Sequence, residues 1–220
     1  MKKFTIYSLL WIAVSLMVFT SCEQNNEEIE PLKLESAKLA YTGTPGVEEN
    51  ITNGGGTIEL DASVTGLYHV RDFYQGEINP EPTDPHDRAS TYYFRLTDNE
   101  GGNDTSFDLK FTGRATANIY PGSGSTLAYV DKSFSAVTAS DYDANKEQAY
   151  FGNNSGSTIG WYNYNFLTHI VTAVSGRTFI LKKGSDYYKI KFTSIYEGGA
   201  PDSPYAATDF PYFTFDYQKL

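Results

Sequence analysis

Arg177-Thr178-Phe179-Ile180-Leu181-Lys182-Lys183, Gly184-Ser185 and Asp186-Tyr187-Tyr188-Lys189-Ile190-Lys191-Phe192 form two alternating runs around a two-residue turn. A two-residue loop with glycine first is a hairpin connection whose twist matches that of the strands it joins. With Gly184 and Ser185 as the loop, Leu181 faces Tyr188 and Phe179 faces Ile190, while Lys182, Lys189 and Lys191 share the opposite face. One face is apolar and the other basic. A slip of one residue would carry every apolar side chain into water, so the pattern fixes the register.

Outward from this hairpin, short alternating or aromatic-rich runs recur between turn residues, at 37–41, 57–61, 67–74, 91–97, 107–120, 127–134 and 212–217. Their β-branched and aromatic content predicts a single antiparallel all-β domain over 37–220. No long amphipathic helical pattern is present. The best helix candidate is 140–149, at most three turns, with Ser140 as cap and Asp143 completing a capping box. Two long loops, 75–88 and 197–210, carry prolines and glycines, and loops of this length in compact domains are often functional.

The first 21 residues predict a lipoprotein signal peptide. Lys2 and Lys3 precede an apolar run of about a dozen residues, which ends in Thr20-Ser21-Cys22. A spanning helix needs about 20 apolar residues, so an anchor through the bilayer is disfavoured. Cys22 is the single cysteine of the chain. No disulfide can form within it, and the expected role of Cys22 is to carry lipid, palmitate included, holding the protein on a membrane without crossing it. Residues 22–36, acidic and free of aromatics, predict a solvated flexible tether. An acidic run directly after such a cysteine resembles the export signal of surface-exposed lipoproteins, so the expected location is the outer membrane, on the cell surface. Loss of Lys2 and Lys3 leaves 15 basic residues against 27 acidic ones, a formal charge of −12. That balance argues against nucleic acid and against docking on anionic lipid by charge.

The inventory for catalysis is thin. Only His69, His86 and His169 are available as bases, none beside a nucleophile motif, and no phosphate-loop sequence exists. The expectation is a non-enzyme. Asp141-Tyr142-Asp143-Ala144-Asn145 places oxygen ligands at alternate positions, but Lys146 stands where a calcium loop needs its sharp-turn glycine, and a capped surface helix is the simpler reading. The aromatics say more. If Tyr162, Tyr164 and Phe166 share one face of a strand, they wall an apolar pocket together with Trp161, and His169 just past the strand end reaches a metal or a planar ligand. Core packing is the alternative for each of these aromatics.

In order along the chain, Phe107-Asp108-Leu109-Lys110-Phe111 leading to Asn118 and Gly122-Ser123-Gly124, then Phe134-Ser135-Ala136-Val137, then Gly160-Trp161-Tyr162-Asn163-Tyr164 resemble the HmuY family of haem-binding surface lipoproteins. The similarity continues through Arg177-Thr178-Phe179-Ile180-Leu181, Tyr187-Tyr188-Lys189-Ile190-Lys191-Phe192 with Tyr196, and the closing Phe213-Thr214-Phe215-Asp216-Tyr217, covering about residue 57 to the C-terminus. The resemblance implies a hand-shaped all-β fold that holds haem between two histidines and passes it to an outer-membrane receptor. The chain departs from that pattern: it has neither His nor Met between Thr91 and Phe134, and both methionines lie in the signal peptide. His169 falls near the place of the second ligand, several residues late, with Phe166 closer to register. Tyrosine can hold haem iron as an anion, so Tyr129 or Tyr164 is a candidate partner for His169.

The expected function is therefore a lipid-anchored protein that captures haem or a related porphyrin at an aromatic pocket of His169, Trp161, Tyr162, Tyr164, Phe166 and Tyr129, with His169 toward the metal. The alternative keeps the fold but binds a glycan or protein through exposed aromatics, without haem.

Overall fold

The computed structural model describes residues 43–76 and 90–220. The signal peptide, Cys22, the tether, the expected strand at 37–41 and His86 lie outside the described residues. Among those described, the chain is built from antiparallel strands: β1 (Glu48–Asn50), β2 (Gly55–Leu60), β3 (Leu67–Tyr74), β4 (Tyr92–Arg95), β5 (Glu100–Gly101), β6 (Leu109–Thr112), β7 (Asn118–Pro121) and β8 (Ser125–Val130), then β9 (Tyr162–Asn165), β10 (Ile170–Ala173), β11 (Thr178–Lys183), β12 (Asp186–Ser194) and β13 (Phe213–Lys219). Seven of them form one sheet in the order β1-β2-β3-β13-β12-β11-β8, four form a second in the order β5-β4-β6-β7, and β9 and β10 pair as a separate hairpin. The fold is all-β.

The β11–β12 hairpin sits inside the large sheet with the register read from its sequence, Phe179 opposite Ile190 and Leu181 opposite Tyr188. Gly184 takes a φ of 60°, which a glycine-first turn of two residues requires. Its second face is less wet than the lysine pattern predicts. Ile180 is fully buried against Val130 and Val137, and Lys189 is only 7% exposed. The cause is the turn Phe134–Ala136, which folds over this face. The Lys189 ammonium lies 4.6 Å from the Phe134 ring centre and donates to the Val137 carbonyl at 3.5 Å, its head tucked under the turn.

The main core lies where rings of the four-stranded sheet meet rings of the large one. Phe111 and Phe213 approach to 4.2 Å between centroids, Phe94 meets Phe215 edge-on at 5.2 Å, and Phe73 meets Phe94 at 5.1 Å. Each such pair adds about 0.5–1.5 kcal/mol beyond the area it buries.

Two sequence expectations are corrected. The run 107–120 is two strands, because Gly113, Ala115 and Thr116 all adopt left-handed φ and turn the chain back, pairing β6 with β7. The expected helix at 140–149 is absent: single 3-10 turns at Ala139–Asp141 and Ala144–Lys146 stand there. The capping chemistry is real but local. Thr138 and Asp141 form the capping box and Asp143 accepts from the Asn145 N–H, so each cap closes one turn and none starts a helix.

Candidate functional site

The β9–β10 hairpin carries the site. Tyr162 and Tyr164, two apart, share one face of β9. Asn165 closes the turn: its side-chain oxygen accepts from the Leu167 and Thr168 N–H groups at 2.9 and 3.2 Å, and its carbonyl accepts from His169 N–H at 2.7 Å. This brings His169 round to a left-handed φ of 59°, a conformation rare for non-glycine residues and found mainly at turns and ligand sites. The imidazole is thereby placed beside its own strand, with Nδ1 2.6 Å from the Tyr164 hydroxyl. Phe166 stacks edge-on against Tyr164 at 5.1 Å yet stays 73% exposed.

Three other segments complete a cavity of about 530 Å³ lined by Arg114, Ala115, Asn153, Tyr162, Tyr164, Phe166, His169, Val171, Ile195, Tyr196 and Phe210. The 197–210 loop supplies one wall because its ends are tied together: Glu197 N–H donates to the Asp209 carbonyl at 2.9 Å and Tyr212 N–H to the Ile195 carbonyl at 2.7 Å. Its start is held to the large sheet through Gly198 N–H and Asp72 Oδ1 at 2.9 Å. The loop is also joined to the hairpin tip, by Ala206 N–H to the Thr168 carbonyl at 2.7 Å. Tyr196 ties β10 in place by accepting from the Val171 N–H at 2.8 Å. On the far side, Asn153 Oδ1 accepts from the Tyr164 N–H at 3.1 Å, which occupies the outer edge of β9.

Four residues expected at the pocket from sequence, Tyr162, Tyr164, Phe166 and His169, do line it. Two do not. Trp161 is 1% exposed and packs on Phe192 and Phe213 in the core, where the Ala117 carbonyl holds its indole N–H at 2.6 Å. Tyr129 is on β8 opposite Phe179, between Phe151 and the Arg177 guanidinium, outside the cavity lining. Sequence reasoning missed Arg114, Ala115, Asn153, Val171, Ile195, Tyr196 and Phe210. Topology brings these together from distant positions, and no local spacing marks them.

A haem needs a ligand for its iron and apolar walls for its macrocycle. A ring holding its proton on Nδ1 donates to the Tyr164 hydroxyl, and a ligating histidine commonly has its second ring nitrogen bonded in this way. Tyr162 and Tyr196 do not offer an anionic oxygen. Burial pushes the Tyr162 hydroxyl up to about 12, and burial likewise raises Tyr196, whose oxygen is already hydrogen-bonded. The residues present therefore fit one imidazole beside an apolar plate, with neither Tyr162 nor Tyr196 as its anionic partner. Among the described residues, no group of three or more His, Cys, Asp or Glu side chains is placed to hold a bare metal ion.

Fold and cavity define, among the described residues, an all-β protein with a largely apolar pocket of the volume usual for small-molecule sites. Comparison with known proteins adds nothing to this, since no family model, no curated protein and no solved structure matches the chain.

Proposed function

We propose that the protein is a non-catalytic, lipid-anchored surface protein that captures haem or a related porphyrin at the β9–β10 pocket for delivery to an outer-membrane receptor. The observation that carries the reading is the joint placement of a 530 Å³ apolar cavity and the His169 imidazole, with Nδ1 held by Tyr164. When bound, haem would supply iron for one imidazole bond. Burial of the macrocycle against Tyr162, Tyr196, Ile195 and Phe210 would contribute about 25 cal/mol per Å² removed from water, less the cost of association. The exposed Phe166 leaves one side of the cavity open, which suits a ligand that must be passed on.

The test is a titration of the full-length chain with oxidised and reduced haem, followed by the Soret band, beside a His169→Asn variant. Asparagine tolerates the left-handed backbone at this position, so the variant removes the imidazole and keeps the turn. The expected result is a saturable shift at one haem per chain that weakens in the variant. Absence of any saturable shift overturns the reading.

One observation favours a second reading, a surface interaction protein that binds a glycan or protein without haem. Phe166, Leu167 and Tyr205 are 73%, 88% and 66% exposed, and the Ala206–Thr168 bond brings their segments together at the pocket mouth. That reading is the one to retain if haem fails to bind.

A further inference from the structure

Tyr162 and Tyr164 line the cavity from the same face of β9, yet their hydroxyls are used differently. The Tyr164 hydroxyl meets His169 Nδ1 at 2.6 Å. Among the described residues, the Tyr162 hydroxyl has no hydrogen-bond partner. Tyr162 is 9% exposed and packs edge-on against Trp161 at 5.0 Å, so its ring is held in place. Its oxygen is not sealed in by protein atoms and opens on the cavity. Burial first, then Tyr150 and Tyr164, push the phenol up to about 12. It therefore keeps its proton at physiological pH and acts as a neutral donor.

Two neighbours on the same cavity hold uncommitted donors as well. The Tyr196 hydroxyl accepts from the Val171 N–H at 2.8 Å and, among the described residues, gives its own proton to no protein group. Asn153 Oδ1 accepts from the Tyr164 N–H at 3.1 Å, which commits the oxygen and, among the described residues, leaves the amide N–H groups of that side chain unspent. In the β9–β10 register Tyr164 stands opposite Val171 and Tyr162 opposite Ala173, so the free phenol lies one same-face repeat, about 6–7 Å, from the end that carries His169. A ligand that fills the cavity displaces water from these donors. Unless it offers an acceptor there, a buried O–H is left unpaired, and that penalty exceeds what a bond made would gain. A site of this kind rejects analogues that lack the acceptor.

We propose that Tyr162 selects the ligand of this pocket by donating to an acceptor oxygen, a carboxylate or a carbonyl, carried on an otherwise flat and apolar molecule, with Tyr196 and Asn153 as further donors. The inference rests on the pocket reading above and adds to it the group that sets the ligand's orientation. Apolar contact has no direction, so stacking walls alone accept a flat molecule in several rotations. A phenol fixed at one depth of the pocket accepts only those that bring the oxygen to it.

The experiment compares ferric haem, metal-free protoporphyrin IX, its dimethyl ester and octaethylporphyrin, which carries no oxygen, on the full-length chain and on its Tyr162→Phe variant. Phenylalanine keeps the ring and removes the O–H alone. Binding is read by absorbance for haem and by porphyrin fluorescence for the other three. The expected result is a loss of about three- to tenfold in affinity for protoporphyrin IX in the variant, as for one hydrogen bond, while octaethylporphyrin binds both proteins alike. An equal loss for the dimethyl ester assigns the bond to a carbonyl, and a loss confined to the free acid assigns it to a carboxylate; either supports the proposal. Because the hydroxyl has no partner in the free protein, the urea midpoint of Tyr162→Phe should equal or exceed that of the wild type, and a lower midpoint would overturn the proposal by showing a bond within the chain. Equal affinities for every probe in both proteins, or a loss for octaethylporphyrin as large as for the others, would overturn the role of Tyr162 and leave haem capture standing where haem binds. Protoporphyrin bound in a Tyr162-dependent way without any haem binding would support the acceptor site and overturn haem capture. Failure of every probe to bind would overturn both.

Discussion

Trp161 Nε1 donates to the Ala117 carbonyl at 2.6 Å, so the residue that opens the tyrosine wall also fastens the turn bearing Arg114. The two sides of the pocket are therefore coupled through the core. Trp161→Phe keeps most of the apolar volume but leaves the Ala117 carbonyl without its indole donor, at a cost of about 1–3 kcal/mol. Trp161→Ala is expected to cost about 3–5 kcal/mol, as for other buried aromatics. Chemical denaturation checks both. Porphyrin affinity should drop in Trp161→Phe even where the protein remains folded.

The Tyr164 hydroxyl lies 2.6 Å from His169 Nδ1 and helps to aim the ring. Tyr164→Phe removes that bond and keeps the ring that packs against the core. Stability should change by less than about 0.5 kcal/mol, while haem affinity should fall about ten- to a hundredfold, the usual effect of losing the partner of a ligating histidine. Unchanged affinity would mean that the bond has no part in binding.

Lys189 is nearly buried beneath the turn Phe134–Ala136, and burial lowers its pKa. A lysine whose folded pKa is depressed disfavours the fold while charged, so it costs stability at neutral pH and the cost fades as the pH rises toward 10. Lys189→Met, of similar length and apolar, is expected to be neutral or to stabilise by up to about 1 kcal/mol in urea denaturation at pH 7. A loss larger than that would show that the ring contact with Phe134 outweighs the desolvation.

His69 lies between two carboxylates, Nδ1 2.8 Å from Asp216 and Nε2 3.0 Å from Asp61, with Arg71 also on Asp216 and Glu59 opposite in register. Only the imidazolium donates through both nitrogens at once. Burial works against the charge, but the bonds to Asp216 and Asp61 outweigh it and raise the His69 pKa. A raised folded pKa gives stability that is fully present below the unfolded value near 6.5 and is lost as the pH climbs through the folded one. Asp61 has the opposite sign. Held well below the usual carboxylate range by His69 first, then by Ser63 and Val64, it stabilises above about pH 4 and loses that contribution in acid. Thermal denaturation should show a melting temperature that declines from about pH 6.5 upward in the wild type, and a flatter profile in His69→Gln.

The β11–β12 register was legible in sequence because period-two alternation on both sides of Gly184-Ser185 leaves one pairing that buries Phe179, Leu181, Tyr188 and Ile190 together. Tyr162, Tyr164, Phe166 and His169 were legible as a cluster for the same reason: they are neighbours in one hairpin. What local patterns do not carry is what other segments bring. Arg114 reaches the pocket through three left-handed residues, Phe210 and Ile195 through a loop closed by backbone bonds, and neither device has a spacing to read. Trp161 shows the limit from the other side. Its place beside Tyr162 marked it for the pocket, yet it stands before β9 and the distant Ala117 carbonyl holds its indole in the core. The segment 140–149 has cap residues without an apolar face behind them, and caps alone close turns without propagating a helix.

The central claim is that His169 is the residue that meets the metal of a bound porphyrin. The most direct measurement is the nitrogen NMR spectrum of the full-length chain, labelled at its histidine rings, with and without zinc protoporphyrin IX, a diamagnetic probe that takes one axial ligand. The expected result is that His169 alone changes, with Nε2 moving to a metal-bound shift and Nδ1 keeping its proton toward Tyr164, while His69 and His86 stay in place. Unmoved His169 resonances in the presence of saturating probe, or a shift at His69 or His86 instead, would contradict it.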